Sequence, residues 1–343
     1  MRSAGLWLLT LALGAAGGYA FSRLGVPLAW LLGSLAVVAS IGLCGGRLAM
    51  PPGGRQTGQV LLGSAIGLTF TPPVAAYVAG FLPVMIGAAV LSIGYGVLAG
   101  LALRRTSKTD PATAFFSSVP GGVVEMSVLA ERHGGDVSSV SLAQSLRILL
   151  VVTTIPPAVT LLGLTGSDPF ELVALPFQPA GFALLIACCA ALGWIGARRK
   201  IANAWFLGPM IVAVGVSISG TVLSGIPTEL INFAQVVMGA TLGLRYQRDR
   251  VLALRRFLAP AFLSTVILVG LNVATGVVIG LIVGLPPATM ALAISPGGMA
   301  EMSITAKVLH LGVPIVVAFH VVRIFLVIGF TGQVFKRVFL PRA

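Results

Sequence analysis

Residues 111–130, PATAFFSSVPGGVVEMSVLA, return at 287–306 as PATMALAISPGGMAEMSITA. Pro111-Ala112-Thr113, Pro120-Gly121-Gly122, Glu125-Met126-Ser127 and Ala130 each find their partner 176 residues later, at Pro287-Ala288-Thr289, Pro296-Gly297-Gly298, Glu301-Met302-Ser303 and Ala306, without a gap. Apolar residues coincide by chance in a hydrophobic chain. Glutamate, proline and paired glycines in register do not, so the chain contains an internal duplication.

Outward from this block the same offset pairs Arg147-Ile148 with Arg323-Ile324, and Gln59, Gly63, Gly67 and Leu68 with Gln235, Gly239, Gly243 and Leu244. An offset of 175 pairs Ala29-Trp30-x-Leu32-Gly33 with Ala204-Trp205-x-Leu207-Gly208, which places one inserted residue between the two blocks. The repeats therefore run over 1–165 and 176–343, joined by Gly163–Pro179, a stretch holding Asp168, Glu171 and three prolines.

The solvent of this chain is lipid. Of its 343 residues 57% are hydrophobic and 9% charged, with a mean hydropathy of +1.02, outside the range of soluble domains. Windows such as Phe81–Leu103 and Pro260–Val283 carry about twenty nearly uncharged residues, the length that crosses a hydrocarbon core. The first twenty residues have the basic start and apolar stretch of a signal peptide, but their counterpart in the second half makes them a first span.

The net charge of +13 does not form a basic stripe for nucleic acid. Lys and Arg sit in short segments between spans, where they report orientation. Arg198-Arg199-Lys200, the Arg245 to Arg256 cluster and the tail Lys336, Arg337 and Arg342 mark cytoplasmic ends, with Gly225–Glu229 and Gly284–Pro287 outside. Between the external 284–287 and the internal Lys336 lie two apolar stretches, 287–308 and 312–335, yet the chain must cross an odd number of times. The stretch with Pro296-Gly297-Gly298 at its centre is the one that enters and returns, because that sequence breaks a helix. In the first repeat Arg104, Arg105 and Lys108 are inside and the acidic linker outside, the same logic with opposite sign; Arg23 and Lys307 fall on the wrong side of this scheme. The expected fold is an all-α polytopic membrane protein of two inverted-topology repeats, each of five transmembrane helices plus one re-entrant broken hairpin, with a cytoplasmic C-terminus in a bacterial inner membrane.

A Pro-Gly-Gly break at membrane depth frees backbone groups that are tolerated only inside protein or against a cavity. The half-helix that follows presents its N-terminal amides and positive dipole end inward. Glu125 and Glu301 fall in the first turn of these half-helices, with Ser127 and Ser303 two residues on; each carboxylate either caps its helix or couples a proton or cation. Arg147 and Arg323 lie within apolar spans and need a counter-charge, for which the hairpin glutamates are the obvious source; they serve as a buried ion pair or as a substrate clamp. His320 stands where the first repeat has Gln144, a packing residue or a titratable group present in one half only. Gln59 and Gln235 precede Gly-x-x-x-Gly runs that read as close helix packing.

Metal and nucleophile chemistry find little support. Cys44, Cys188 and Cys189 have neither disulfide nor ligand spacing, His133, His310 and His320 do not pair at helical intervals, and no Ser or Cys shows a base partner. No cofactor is expected and the chain reads as a non-enzyme.

The repeated PGGxxEMSxxA motif, together with Ala-Trp-x-Leu-Gly and Gln-x-x-x-Gly-x-x-x-Gly in each half, resembles the AbrB membrane protein family, distinct from the soluble DNA-binding regulator of the same name. The resemblance covers nearly the whole chain and implies a duplicated membrane domain; the family's labels, regulator of gene expression and ammonia monooxygenase, name no established chemistry. Inverted repeats with broken helices are the architecture of secondary transporters, whose sites form at those breaks. The sequence thus points to transport of a small solute, an organic anion, with a coupling proton or sodium ion. The site is expected at Pro120, Gly121, Gly122, Glu125, Ser127 and Arg147 with Pro296, Gly297, Gly298, Glu301, Ser303, His320 and Arg323. The expected partners are the lipid bilayer, the solute and its coupling ion, with a homo-oligomer compatible and nucleic acid excluded. The alternative is a membrane-embedded sensor or regulator without transport.

Overall fold

The computed structural model describes residues 2–164, 175–221 and 223–339. The core of the linker, with Asp168 and Glu171, and the tail residue Arg342 lie outside the described residues. Among those described, all regular structure is helical, and it comes in two series of eight. The first is α1 (Arg2–Arg23), α2 (Ala29–Leu43), α3 (Gly54–Gly67), α4 (Pro72–Ala79), α5 (Leu82–Ser107), α6 (Pro111–Ser118), α7 (Val123–Arg132) and α8 (Val137–Leu161). The second is α9 (Pro179–Arg198), α10 (Ala204–Ile218), α11 (Thr228–Gly243), α12 (Arg248–Ala253), α13 (Arg255–Val283), α14 (Pro287–Ile294), α15 (Met299–Val308) and α16 (Val313–Val338).

Six helices, α1, α5, α8, α9, α13 and α16, are long and apolar enough to cross a membrane, and α3 with α4 passes the same test as a pair bent by 91°. This is a polytopic membrane-type chain. Against the ten spans expected from the repeat and the charge pattern, the remaining apolar helices α2, α10 and α11 are 15 to 16 residues long. At 1.5 Å per residue they reach roughly 22–24 Å, against a core about 30 Å thick. The starts of the short helices are fixed locally: Leu28 and Asn203 turn the chain through left-handed conformations before α2 and α10, Pro51-Pro52 precede α3, and Pro72-Pro73 open α4.

The helices gather into two compact units, residues 1–79, 168–250 and 303–309 in one, and 80–167, 251–302 and 310–343 in the other. Each unit draws helices from both halves of the sequence.

In the first unit, α3 packs on α10 and α11 on α2. A Cβ at Gly63 would run into the Phe206 carbonyl, and one at the matched Gly239 into the Leu31 carbonyl. Only glycine lets these backbones approach so closely. Phe206 and Leu31 are themselves matched positions, so the duplication extends to the contacts. Ser34 fastens the α2–α11 crossing by donating to the Val236 carbonyl at 2.8 Å.

In the second unit, α5 and α13 cross, joined by Tyr95 Oη and Thr275 Oγ1 at 2.8 Å and by Ser264 Oγ donating to the Ala99 carbonyl at 3.1 Å. Phe115 and Phe116 of α6 pack against Phe335 and Phe339 at the end of α16, with ring centroids 4.9–5.4 Å apart. Helix starts are capped by side chains: Asp110 accepts from the Thr113 amide at 2.7 Å, and Asp136 from the Ser138 and Ser139 amides at 3.2 and 2.9 Å. Burial pushes the Asp136 carboxyl up, but the Ser139 side chain and the two amides outweigh it and hold the group below the usual carboxylate value. Thr113 Oγ1 accepts from the Asp136 amide at 2.7 Å, tying the two caps together.

Candidate functional site

The Pro-Gly-Gly sequences break their helices as their composition dictates. Helix α6 stops at Ser118 and α7 starts at Val123; α14 stops at Ile294 and α15 starts at Met299. Val119, Gly122 and Ser295 have extended backbones, with ψ between 133° and 146°. Pro120 and Pro296 cannot donate a backbone hydrogen bond, so the two tips cannot be zipped into a continuous helix. Their carbonyls need donors from elsewhere.

Two arginines supply them. Arg147 of α8 is 2% exposed and donates through Nη1 to the Val119 carbonyl at 3.3 Å and through Nη2 to the Gly121 carbonyl at 2.8 Å. Arg323 of α16 is 5% exposed and donates through Nη1 to Ser295 at 2.6 Å and Ile294 at 3.3 Å, and through Nη2 to Gly297 at 3.1 Å. Val119 with Ser295 and Gly121 with Gly297 are positions matched by the repeat. Where the sequence suggested a hairpin glutamate as counter-charge, each guanidinium turns to carbonyl dipoles instead. Among the described residues no carboxylate pairs with either arginine. The Nε of each, also buried, has no hydrogen-bond partner.

The repeats differ one turn earlier. Gln144, fully buried, donates through Nε2 to the carbonyls of Phe116 at 2.7 Å and Val119 at 2.9 Å, so the first tip has two clamps. His320 instead places Nδ1 on the Val316 carbonyl of its own helix at 2.9 Å. A carbonyl only accepts, so Nδ1 carries the proton and Nε2, buried without a partner, is left as an acceptor. Of these two α16 side chains, Arg323 alone bonds the second tip.

Glu125 and Glu301 occupy the third position of their half-helices and are half-buried. Each carboxylate folds back over the glycine that precedes the helix: an oxygen of Glu125 takes the space a methyl group on Gly122 would need, and Glu301 does the same to Gly298. Met126 and Met302 likewise fill the space beside Gly121 and Gly297. Ser127 is buried and donates to Ser141 Oγ at 3.3 Å; Ser303 is fully buried on α15. Both tips, both glutamates and both arginines belong to the second unit, while Ser303 falls in the segment 303–309 grouped with the first.

Two buried amides were not marked as site residues by their sequence pattern. Gln144 is a tip clamp, and Asn272, fully buried in α13, donates to its own helix at Leu268 and leaves Oδ1 without a partner. The first repeat has Gly96 at that position, packed against Val119 and Pro120. The signal that marks both is an amide inside an otherwise apolar span. Among the described residues no three His, Cys, Asp or Glu come together as a metal site.

A family model described as "Transition state regulatory protein AbrB" matches residues 30–339. The chain is 30% identical over 351 aligned positions to a Bacillus subtilis (strain 168) protein named "Uncharacterized protein YhjN", covering 94% of this chain and 90% of that one. It is 25% identical over 324 positions to an Escherichia coli (strain K12) protein named "Putative regulator AbrB", covering 92% and 91%.

Proposed function

The chain belongs to the AbrB family, and on that footing we propose that it is a secondary active transporter of a small organic anion, driven by a proton or sodium gradient. The observation that carries this reading is the pair of broken hairpins, each with a glutamate in the first turn after the break and a buried arginine on its tip carbonyls. Maintaining two buried cations beside two helix breaks is costly in lipid, and such groups mark solute and ion paths. In this reading the repeats are inverted, the hairpins enter from opposite faces, the C-terminus is cytoplasmic, the membrane is the bacterial inner membrane, and the site lies near the midplane where the tips meet. The glutamates take the coupling ion and the tips and arginines the anion. No covalent chemistry is assigned to the protein.

The test is uptake by the purified protein in liposomes. Labelled carboxylates should accumulate only under an imposed ion gradient, and Glu301→Gln should abolish that dependence. Uptake equal in the variant removes Glu301 from coupling, and no uptake of any carboxylate under either gradient contradicts the reading. The E. coli relative's name favours a second reading, a membrane-embedded regulator. That reading expects a cytoplasmic protein to co-purify in a ligand-dependent way, with no solute movement.

A further inference from the structure

Arg147 and Arg323 spend their Nη atoms on the tips and hold their Nε–H groups in reserve. Each Nε is buried and has no hydrogen-bond partner, an unusual state for a donor on a permanently charged group. Both side chains lie in the same compact unit. Among the described residues neither has a carboxylate partner. Carbonyl dipoles soften a buried charge but do not neutralise it, so each guanidinium keeps an unmet demand for an anion at its Nε–H edge.

We propose that the substrate is a small dicarboxylate dianion, each of its carboxylates received by the Nε–H edge of one of these two arginines. The inference rests on the transport reading and narrows its substrate. Two negative charges match two positive ones. A monocarboxylate meets one guanidinium and leaves the other buried without an anion. Two donors on separate helices suit two separated carboxylates better than one compact oxyanion, because each planar guanidinium edge accepts a carboxylate in its own plane. Tethering by Val119 and Gly121 on one side, and by Ile294, Ser295 and Gly297 on the other, fixes each guanidinium before the ligand arrives, so little side-chain entropy is lost on binding. It also couples the ligand to the tips, since pulling on Nε pulls on the carbonyls that Nη1 and Nη2 hold.

The experiment is equilibrium binding of labelled succinate to the full-length protein in detergent, with acetate, sulfate and neutral dimethyl succinate as competitors, and gradient-driven uptake in liposomes measured in parallel. Succinate should bind at least about tenfold more tightly than acetate or sulfate, a difference of about 1.4 kcal/mol, and dimethyl succinate should not compete. Arg147→Lys and Arg323→Lys keep the charge but lose the Nε–H edge, and each should weaken succinate by about tenfold or more. If the lysine variants fail to fold, the wild-type preference decides alone. Acetate or sulfate binding as well as succinate overturns the proposal, as does unchanged succinate affinity in both folded variants. Succinate binding without uptake supports the dianion site and overturns transport. Gradient-driven uptake of another solute without succinate binding keeps transport and overturns the dianion site.

Discussion

Arg147 and Arg323, 176 residues apart, make the same hydrogen bonds to the same two positions of their own repeat. Nη1 reaches Val119 in one and Ser295 in the other, and Nη2 reaches Gly121 and Gly297. A guanidinium's fork spans carbonyls two residues apart on an extended backbone, which a lysine's single ammonium does not. The pair is therefore a built feature of the duplicated unit, with consequences that differ between the halves.

The first tip is held by Gln144 as well as Arg147, the second by Arg323 with His320 turned away. Removing a charged donor from buried carbonyls costs about 1.5–3 kcal/mol. Arg323→Ala should therefore lower the thermal unfolding midpoint more than Arg147→Ala, measured side by side in the same detergent. An equal loss would mean the Gln144 bonds carry no load.

His320→Gln gives the second repeat the amide that the first one uses. The side chain should reach the carbonyls of Leu292 and Ser295, the positions matched to Phe116 and Val119. A gain of about 0.5–1.5 kcal/mol is expected from bonds of this kind, read as a raised unfolding midpoint. A lowered midpoint would show that the imidazole fills space the amide cannot.

Gly122→Ala and Gly298→Ala put a methyl group where a carboxylate oxygen of Glu125 or Glu301 sits. Both variants should fold, displace the glutamate and lose ion-coupled uptake. Gly87→Ala, where nothing lies within 4 Å of the added carbon, is the control and should transport normally.

Asp136 caps α8 at the edge of the spanning region, and Asp136→Ala should cost about 1 kcal/mol. Its carboxyl is held below the usual value in the folded protein. Its stabilisation is therefore complete above the ordinary carboxylate range and is lost as pH falls through the lowered folded value. The gap between wild type and variant should close on acidification, as followed by unfolding midpoints from neutral pH downward.

The duplication, the helix breaks and the two arginines could all be read from residue identities, because proline, glycine and charge leave marks that hydropathy cannot imitate. The partners of the arginines could not. They are backbone carbonyls, which every residue carries, so Val119 and Gly121 look no different from their neighbours in sequence. Gln144 was visible as His320's counterpart but not as a clamp for the same reason. The bounds of α2 and α10 were not legible either, because Leu28 and Asn203 start these helices through left-handed turns that non-glycine residues rarely adopt. The gathering of α3 with α10 and of α11 with α2 is likewise invisible along the chain. Gly63 and Gly239 announce a close approach but not which helix approaches.

The measurement that bears most directly on the account is a density map of the purified protein with a dicarboxylate present. One non-protein feature is expected between residues 120–122 and 296–298, in contact with Nε of both Arg147 and Arg323. Tips too far apart to share a ligand, or a ligand bound away from both arginines, would leave the duplicated fold standing and contradict the site.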